Sequence, residues 1–311
     1  MNLTDFFNPK KTLKLFGLDN EFDFLKNLLL NEKLPKVLLL SGKKGSGKFT
    51  LVNHLMFFFF DKKNYDLKSR EIINKDFFYL QLLENTFSNI IYLNGSDYKN
   101  AKIENIRDLK NQLLKSPLSG KKRFVILDDV ECFNNNILNA LLKIIEEPSE
   151  KNYFILINNS SKPLLETIKS RCLEIKMILS SKEKDRIKSS LFDYFNQKMI
   201  FNNNLLDISP GNFLKFNYII TKHDIRLEDG YIVNLGIILD LFKKEKDPHY
   251  KDLLLFLTEY YFNSIISKKM SNYHNVIEKR TYIIKNINDF FLYNMNQKTL
   301  INSIESTLLN E

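Results

Sequence analysis

Val37-Leu38-Leu39-Leu40-Ser41-Gly42-Lys43-Lys44-Gly45-Ser46-Gly47-Lys48-Phe49 is the stretch that decides how this chain folds. Its first four residues are apolar without alternation, as in a strand buried on both faces. Gly42 to Lys48 then spell G-x-x-x-x-G-K, and Leu51, Val52 and Leu55 supply the apolar face of a following helix. Strand, glycine-rich loop and helix in that order make a phosphate-binding loop. The glycines let backbone N–H groups turn inward around phosphates, the lysine reaches the β/γ-phosphates, and a following hydroxyl holds Mg²⁺. Here the hydroxyl position is Phe49. A phenyl ring cannot ligate a cation that demands oxygen donors. Thr50 is one residue late, and on a helix the next side chain points about 100° away. Gly42, Gly45, Ser46, Gly47 and Lys48 are thus candidate nucleotide-binding residues whose metal ligand is missing. The alternative is an inherited scaffold that binds no nucleotide.

Three further apolar runs read as strands: Ile90–Leu93, Phe124–Leu127 and Phe154–Ile157. Between them lie helical spacings. Leu138, Leu141, Leu142 and Ile145 follow i, i+3, i+4, i+7 up to Pro148, and Ile103, Ile106 and Leu109 precede Pro117. Strands alternating with helices predict a parallel α/β sheet. The Phe124–Leu127 strand runs into Asp128 and Asp129, carboxylates that the sheet's carboxyl edge would set beside the loop, where they could share a Mg²⁺ shell. Active ATPases of this shape carry a Glu at the second position, and a misplacement of about 1 Å can cost on the order of 10²-fold in rate. The plainer reading is that both Asp residues cap the next turn. Asn158 and Asn159 end the last strand, and Lys169-Ser170-Arg171-Cys172 follows it.

Beyond about residue 176 the pattern is helical, with faces at Leu253, Leu254, Leu257 and Tyr260, at Ile283, Ile287 and Phe290, and at Leu300, Ile304 and Leu308. Ser209-Pro210-Gly211 and Asp247-Pro248 break it. The expected domains are 1–176, 177–227 and 228–311. In 311 residues with 44% hydrophobic content, the longest apolar run is Leu55–Phe60. A membrane span needs about 20 such residues. With no signal peptide apparent at Met1–Asp5, a cytoplasmic protein without membrane contact is expected. The two cysteines, Cys132 and Cys172, cannot make a four-thiolate zinc site, and no zinc or other metal site is predicted. A net charge of +9 permits contact with nucleic acid, but the lysines are spread evenly and mark no reading surface.

Asn139-Ala140-Leu141-Leu142-Lys143 with Ile145-Glu146-Glu147-Pro148, and Ser170-Arg171-Cys172, strongly resemble signatures of the AAA+ clamp-loader family. Ile106-Arg107-Asp108-Leu109, Ser209-Pro210-Gly211 and Asn294-Met295-Asn296 resemble further elements of it. The resemblance implies an AAA+ P-loop parallel-sheet domain, then a small helical lid and an all-α collar for oligomerisation. Phe49, Asp129 and Asn212, which stands where an ATPase subunit carries a basic sensor, fit a degenerate site of delta prime type. Gamma/tau chains of the family hydrolyse ATP and usually carry further domains; that type is the alternative.

Within the family the resemblance implies a component of the DNA polymerase III holoenzyme with little or no ATPase of its own. It would sit in a five-subunit ring with gamma/tau and delta type subunits and help load the sliding clamp onto primed DNA. Arg171 then becomes a finger acting on the neighbour's ATP, with Asp128, Asp129 and Asn158, or Asn159 in its place, completing this chain's own ATP site. A stand-alone ATPase or kinase leaves the Asn-Ala-Leu-Leu-Lys and Ser-Arg-Cys blocks without a role. The family's subunits of this type commonly hold a cysteine-ligated zinc module, and Asp61 to Phe78 occupies its region here without cysteine.

Overall fold

Five parallel strands form the sheet that carries the loop, in the order β4-β5-β6-β1-β7. They are β1 Val37–Ser41, β4 Ile90–Asn94, β5 Arg123–Asp128, β6 Asn152–Asn158 and β7 Leu173–Lys176; β2 Tyr65–Asp66 and β3 Glu71–Ile72 make a separate two-stranded ladder. The computed structural model describes residues 8–96, 113, 121–201, 205, 207–268 and 273–309. The expected helix at 103–109, its Ile106–Leu109 motif and Pro117 lie outside them, as do Met1–Asp5.

The apolar runs are continuous because both faces of the sheet are covered. Leu38, Leu40, Phe124, Ile126, Ile155 and Ile157 face α1 Asp19–Leu30 and α2 Lys48–Phe60. Their alternates Val37, Leu39, Val125, Leu127, Phe154 and Leu156 face α4 Asn135–Glu146. Successive side chains on a strand point to opposite faces, so an apolar layer on each side leaves no polar alternation. In α4, Ile137, Leu138, Leu141 and Ile145 are buried, and Asn134 caps the helix by accepting the Ile137 N–H at 3.0 Å. Its last residue is Glu146, two before Pro148.

β7 is absent from the sequence reading. It pairs with β1 alone, is largely exposed, and mixes charge with aliphatics as Leu173-Glu174-Ile175-Lys176. An edge strand of this kind carries no continuous apolar run. The two-residue strands β2 and β3 are too short to carry any pattern. Short helices α3 Phe77–Leu83 and α5 Glu166–Lys169 complete this part, with α6 Ser181–Tyr194 opening on a capping box between Ser180 and Glu183.

His54 ties this unit together. It is fully buried on α2, with Nδ1 3.1 Å from the Tyr65 hydroxyl and Nε2 3.1 Å from the Thr12 carbonyl. Burial lowers its pKa from 6.5 to about 4. Between those pH values the unfolded chain takes up a proton that the folded chain refuses, so stability falls as pH falls. The expected loss from pH 7 to pH 4 is on the order of 3 kcal/mol. Asp128, whose folded pKa is raised, works in the opposite sense, so the test is a difference between two chains. Chemical unfolding of the wild type and of His54→Gln across this range should show the extra acid sensitivity only in the wild type; parallel curves would refute it.

Hydrogen bonds tie the Asp61 to Phe78 segment to itself and to α1. Asn64 Nδ2 donates to Asp61 Oδ2 at 2.9 Å and to Asp76 Oδ2 at 2.8 Å, and the Arg70 guanidinium reaches Asp23 at 2.6 Å.

The chain divides into two compact units, Met1–Phe195 with Ser209–Asn212, and Asn196–Ile208 with Phe213–Glu311. Residue 176 is the end of β7, but the first unit continues to Phe195, because Ile187 of α6 packs directly on Gly17. The second unit holds most of α7 Pro210–Lys222, then α8 Tyr231–Glu245, α9 His249–Lys268, α10 Tyr273–Tyr293 and α11 Gln297–Leu309. In it α9 packs on α8 and α10, and α11 on α8 and α10. Leu253, Leu254, Leu257, Ile283, Ile287, Phe290, Leu300 and Ile304 are buried, as their spacing predicts. Among the described residues no helix is long and apolar enough to cross a membrane.

Candidate functional site

The loop from Gly42 to Lys48 joins β1 to α2 and turns on left-handed glycines at Gly45 (φ 83°) and Gly47 (φ 89°). Gly45 also has no room for a side chain, since a Cβ would stand 2.6 Å from Ser209 Oγ and 2.8 Å from Asn212 Oδ1. The Ser-Pro-Gly-Asn segment lies against the loop's backbone. Ser209 Oγ donates to the Lys44 carbonyl at 2.6 Å, Asn212 Nδ2 to the same oxygen at 3.2 Å, and the Gly211 N–H to the Gly45 carbonyl at 3.0 Å. Lys48 is buried, and its ammonium donates to the Gly42 and Lys43 carbonyls at 2.8 and 2.9 Å and to Ser46 Oγ at 3.3 Å. Burial lowers the Lys48 pKa to about 8, against the pull of the Asp128 carboxylate.

Phe49 is held in place by packing. Its ring meets Tyr92 edge to face, with centroids 5.2 Å apart, and is 9% exposed. The Tyr92 hydroxyl in turn donates to Asp128 Oδ2 at 3.3 Å, and the Lys10 ammonium sits 4.1 Å above the Tyr92 ring. An aromatic pair therefore stands between the loop's helix and the strand-end acid. The glycine turns and Lys48 fit phosphate oxygens; this aromatic pair does not fit a hydrated Mg²⁺, which takes oxygen ligands in octahedral geometry.

Asp128 ends β5 and Asp129 follows it, at the same carboxyl edge of the sheet as the loop but with β6 between β5 and β1. Asp128 Oδ1 accepts the Asp129 N–H at 2.9 Å and Asn159 Nδ2 at 3.3 Å. Burial, and then the charge of Asp129, raise the Asp128 pKa to about 6. Asp129 adopts a left-handed conformation (φ 48°), with Oδ1 accepting from Asn159 Nδ2 at 2.7 Å and Oδ2 from Ser96 Oγ at 2.8 Å. Its side chain caps no helix end; its hydrogen bonds cross to neighbouring loops.

Of the two asparagines at the end of β6, it is Asn159 whose side chain meets the acids. Asn158 lies opposite Ser41 in the sheet, and its Oδ1 is taken by the Ser160 N–H at 2.9 Å. Strand register explains the difference between them: Asn158 is paired opposite Ser41 as the last residue of β6, while Asn159 lies beyond the strand. Arg171 stands apart from this group, just past α5. Its Nε donates to Glu146 Oε1 at 2.7 Å and its Nη1 to the Thr167 carbonyl at 2.7 Å.

Tyr92, Lys10 and Glu131 were not among the sequence candidates. The buried Glu131 carboxylate accepts the Asn159 and Ser161 N–H groups, each at 3.1 Å, and the Ser161 hydroxyl at 2.9 Å, which orders the loop after β6. Asp129, Glu131 and Cys132 bring ligand-type atoms within 4.8 Å of one another, but these hydrogen bonds already engage Glu131. Tyr92 could have been found from strand parity, two residues before the carboxyl end of β4, once β4 is known to neighbour β5.

A five-stranded parallel sheet, a phosphate-binding loop after its first strand, strand-end acids and a helical continuation define an AAA+-type P-loop protein. The family model described as DNA polymerase III, delta subunit, matches residues 17–180, and the chain belongs to that family. DNA polymerase III subunit delta' of Buchnera aphidicola subsp. Baizongia pistaciae is 25% identical over 185 residues, which are 50% of this chain and 55% of that one. DNA polymerase III subunit gamma of Buchnera aphidicola subsp. Acyrthosiphon pisum is also 25% identical, over 57% of this chain and 47% of that one. The chain thus spans about half the length of these curated relatives, which carry both subunit names. Among solved structures, a DNA polymerase III gamma subunit-related protein of Thermotoga maritima aligns over 91% of this chain and 96% of that one at 17% identity, with a TM-score of 0.49.

Proposed function

We propose that this chain is a delta prime-type subunit of the DNA polymerase III clamp loader, one that braces the assembly and donates Arg171 to a neighbour's ATP site. The observation that carries the reading is the buried Phe49–Tyr92 pair beside Asp128, in the place of the hydroxyl that would hold Mg²⁺. Asp129 in place of Glu and Asn212 bonded to Lys44 support it, while Arg171 remains at the surface. Residues 1–176 would act as the AAA+ module, 177–227 as the lid and 228–311 as the collar joining it to gamma/tau and delta type subunits. The pentamer so formed would load the sliding clamp onto primed DNA. ATP contact, if any, would run through Gly42, Gly45, Ser46, Gly47 and Lys48.

The purified chain should turn over ATP at least about 10²-fold more slowly than an ATP-hydrolysing loader subunit, given what misplacing one catalytic group alone costs. Phe49→Thr should not restore turnover, because Asp129 and Asn212 stay as they are. Tight Mg²⁺-dependent ATP binding with motor-like turnover by the wild type would overturn the proposal and favour the gamma/tau type.

A further inference from the structure

We propose that Glu146 is the positioning residue for Arg171, holding the guanidinium by its side edge so that its outer edge is presented to a neighbouring subunit's nucleotide. The inference rests on the proposed role of Arg171 in trans. A guanidinium carries five N–H donors in a fixed planar fork, with Nε and Nη2 on one edge. Glu146 Oε1 takes both donors of that edge, Nε at 2.7 Å and Nη2 at 2.5 Å. Nη1 donates to the Thr167 carbonyl at 2.7 Å and, at a longer 3.4 Å, to Ser170 Oγ. Nη2 bears two hydrogens, so its outward one is left by this arrangement.

The two partners come from rigid, separate places. Glu146 is the last residue of α4, whose buried face is packed on the sheet, and Thr167 lies in α5. A long side chain that would otherwise sample many rotamers is thereby fixed at two points. Both side chains are substantially exposed, 36% for Arg171 and 43% for Glu146. Exposed ion pairs add little to stability, so the effect of this one lies in geometry. Glu146 belongs to the Glu-Glu-Pro stretch that follows the Asn-Ala-Leu-Leu-Lys block, and nothing within the chain's own phosphate loop uses it. The motif and the arginine thus form one device spread over two elements.

The test uses the reconstituted clamp-loader complex with Glu146→Ala, Glu146→Gln and Arg171→Ala in this chain, and ATP as the substrate. Arg171→Ala sets the full loss at the served site. Glu146→Ala should lower kcat there by roughly tenfold, since Thr167 still holds the fork, with KM for ATP unchanged. Glu146→Gln keeps an acceptor oxygen for Nε and should recover most of that loss. The thermal midpoint of each chain should stay at the wild-type value. Wild-type or faster turnover in Glu146→Ala, or equal loss in the Ala and Gln variants, would overturn the proposal while leaving the role of Arg171 intact. A silent Arg171→Ala would remove both.

Discussion

Arg171→Ala in the assembled complex should lower ATP turnover at the interface it serves by on the order of 10³-fold or more, the range in which arginine fingers act. The physical ground is charge. Phosphoryl transfer leaves negative charge on the equatorial oxygens of the moving group, and a guanidinium delivered by this chain would add to the charge neutralisation at the neighbouring subunit's own site. The structure keeps the fold independent of that role. Among the described residues the Arg171 side chain bonds to Glu146, Thr167 and Ser170 at the surface, so its removal should leave the thermal midpoint within a degree or two. Turnover is best followed in single-turnover form, because the complex's other sites would mask one lost interface. Unchanged rates at every site would sink the trans-finger assignment.

Phe124→Ala should cost about 3–5 kcal/mol of stability. Phe124 is fully buried on β5, and its ring meets Phe59 at 5.6 Å, Phe60 at 5.9 Å and Tyr153 at 5.7 Å. Truncation opens a cavity between the sheet and α2 that the surrounding rings cannot all collapse to fill. Because β5 delivers Asp128 and α2 begins at Lys48, the same loss would loosen the candidate site. Phe77→Ala is the control: Phe77 is 73% exposed, and its truncation should change stability by no more than about 0.5 kcal/mol. Urea unfolding midpoints of the two variants check this, and a Phe124→Ala cost below about 1 kcal/mol would contradict the packing argument.

Much of the sheet was legible because burial on both faces leaves a continuous apolar signature, and four of its strands carry one. The glycine loop was legible because its conformation demands particular residues at particular spacings. β7 escaped since an edge strand needs no such run. The sequence matches Asn158 to the sensor position with Asn159 as the alternative, and adjacent asparagines give no signal by which to choose between them. Tyr92 and Lys10 were invisible for a different reason: they lie 36 and 118 residues before Asp128 or outside the motif altogether, and meet it only across neighbouring strands and loops.

The amino-acid sequence alone determined that a phosphate loop follows a buried strand, that its metal hydroxyl is replaced by Phe49, and that Arg171 follows the last apolar strand. These are local facts, set by residue type and spacing. Only the tertiary structure decided what fills the vacated position, which asparagine reaches Asp128 and Asp129, and that Glu146 grips Arg171. Each of those depends on residues brought together by strand order and helix packing, and chain distance carries no record of either.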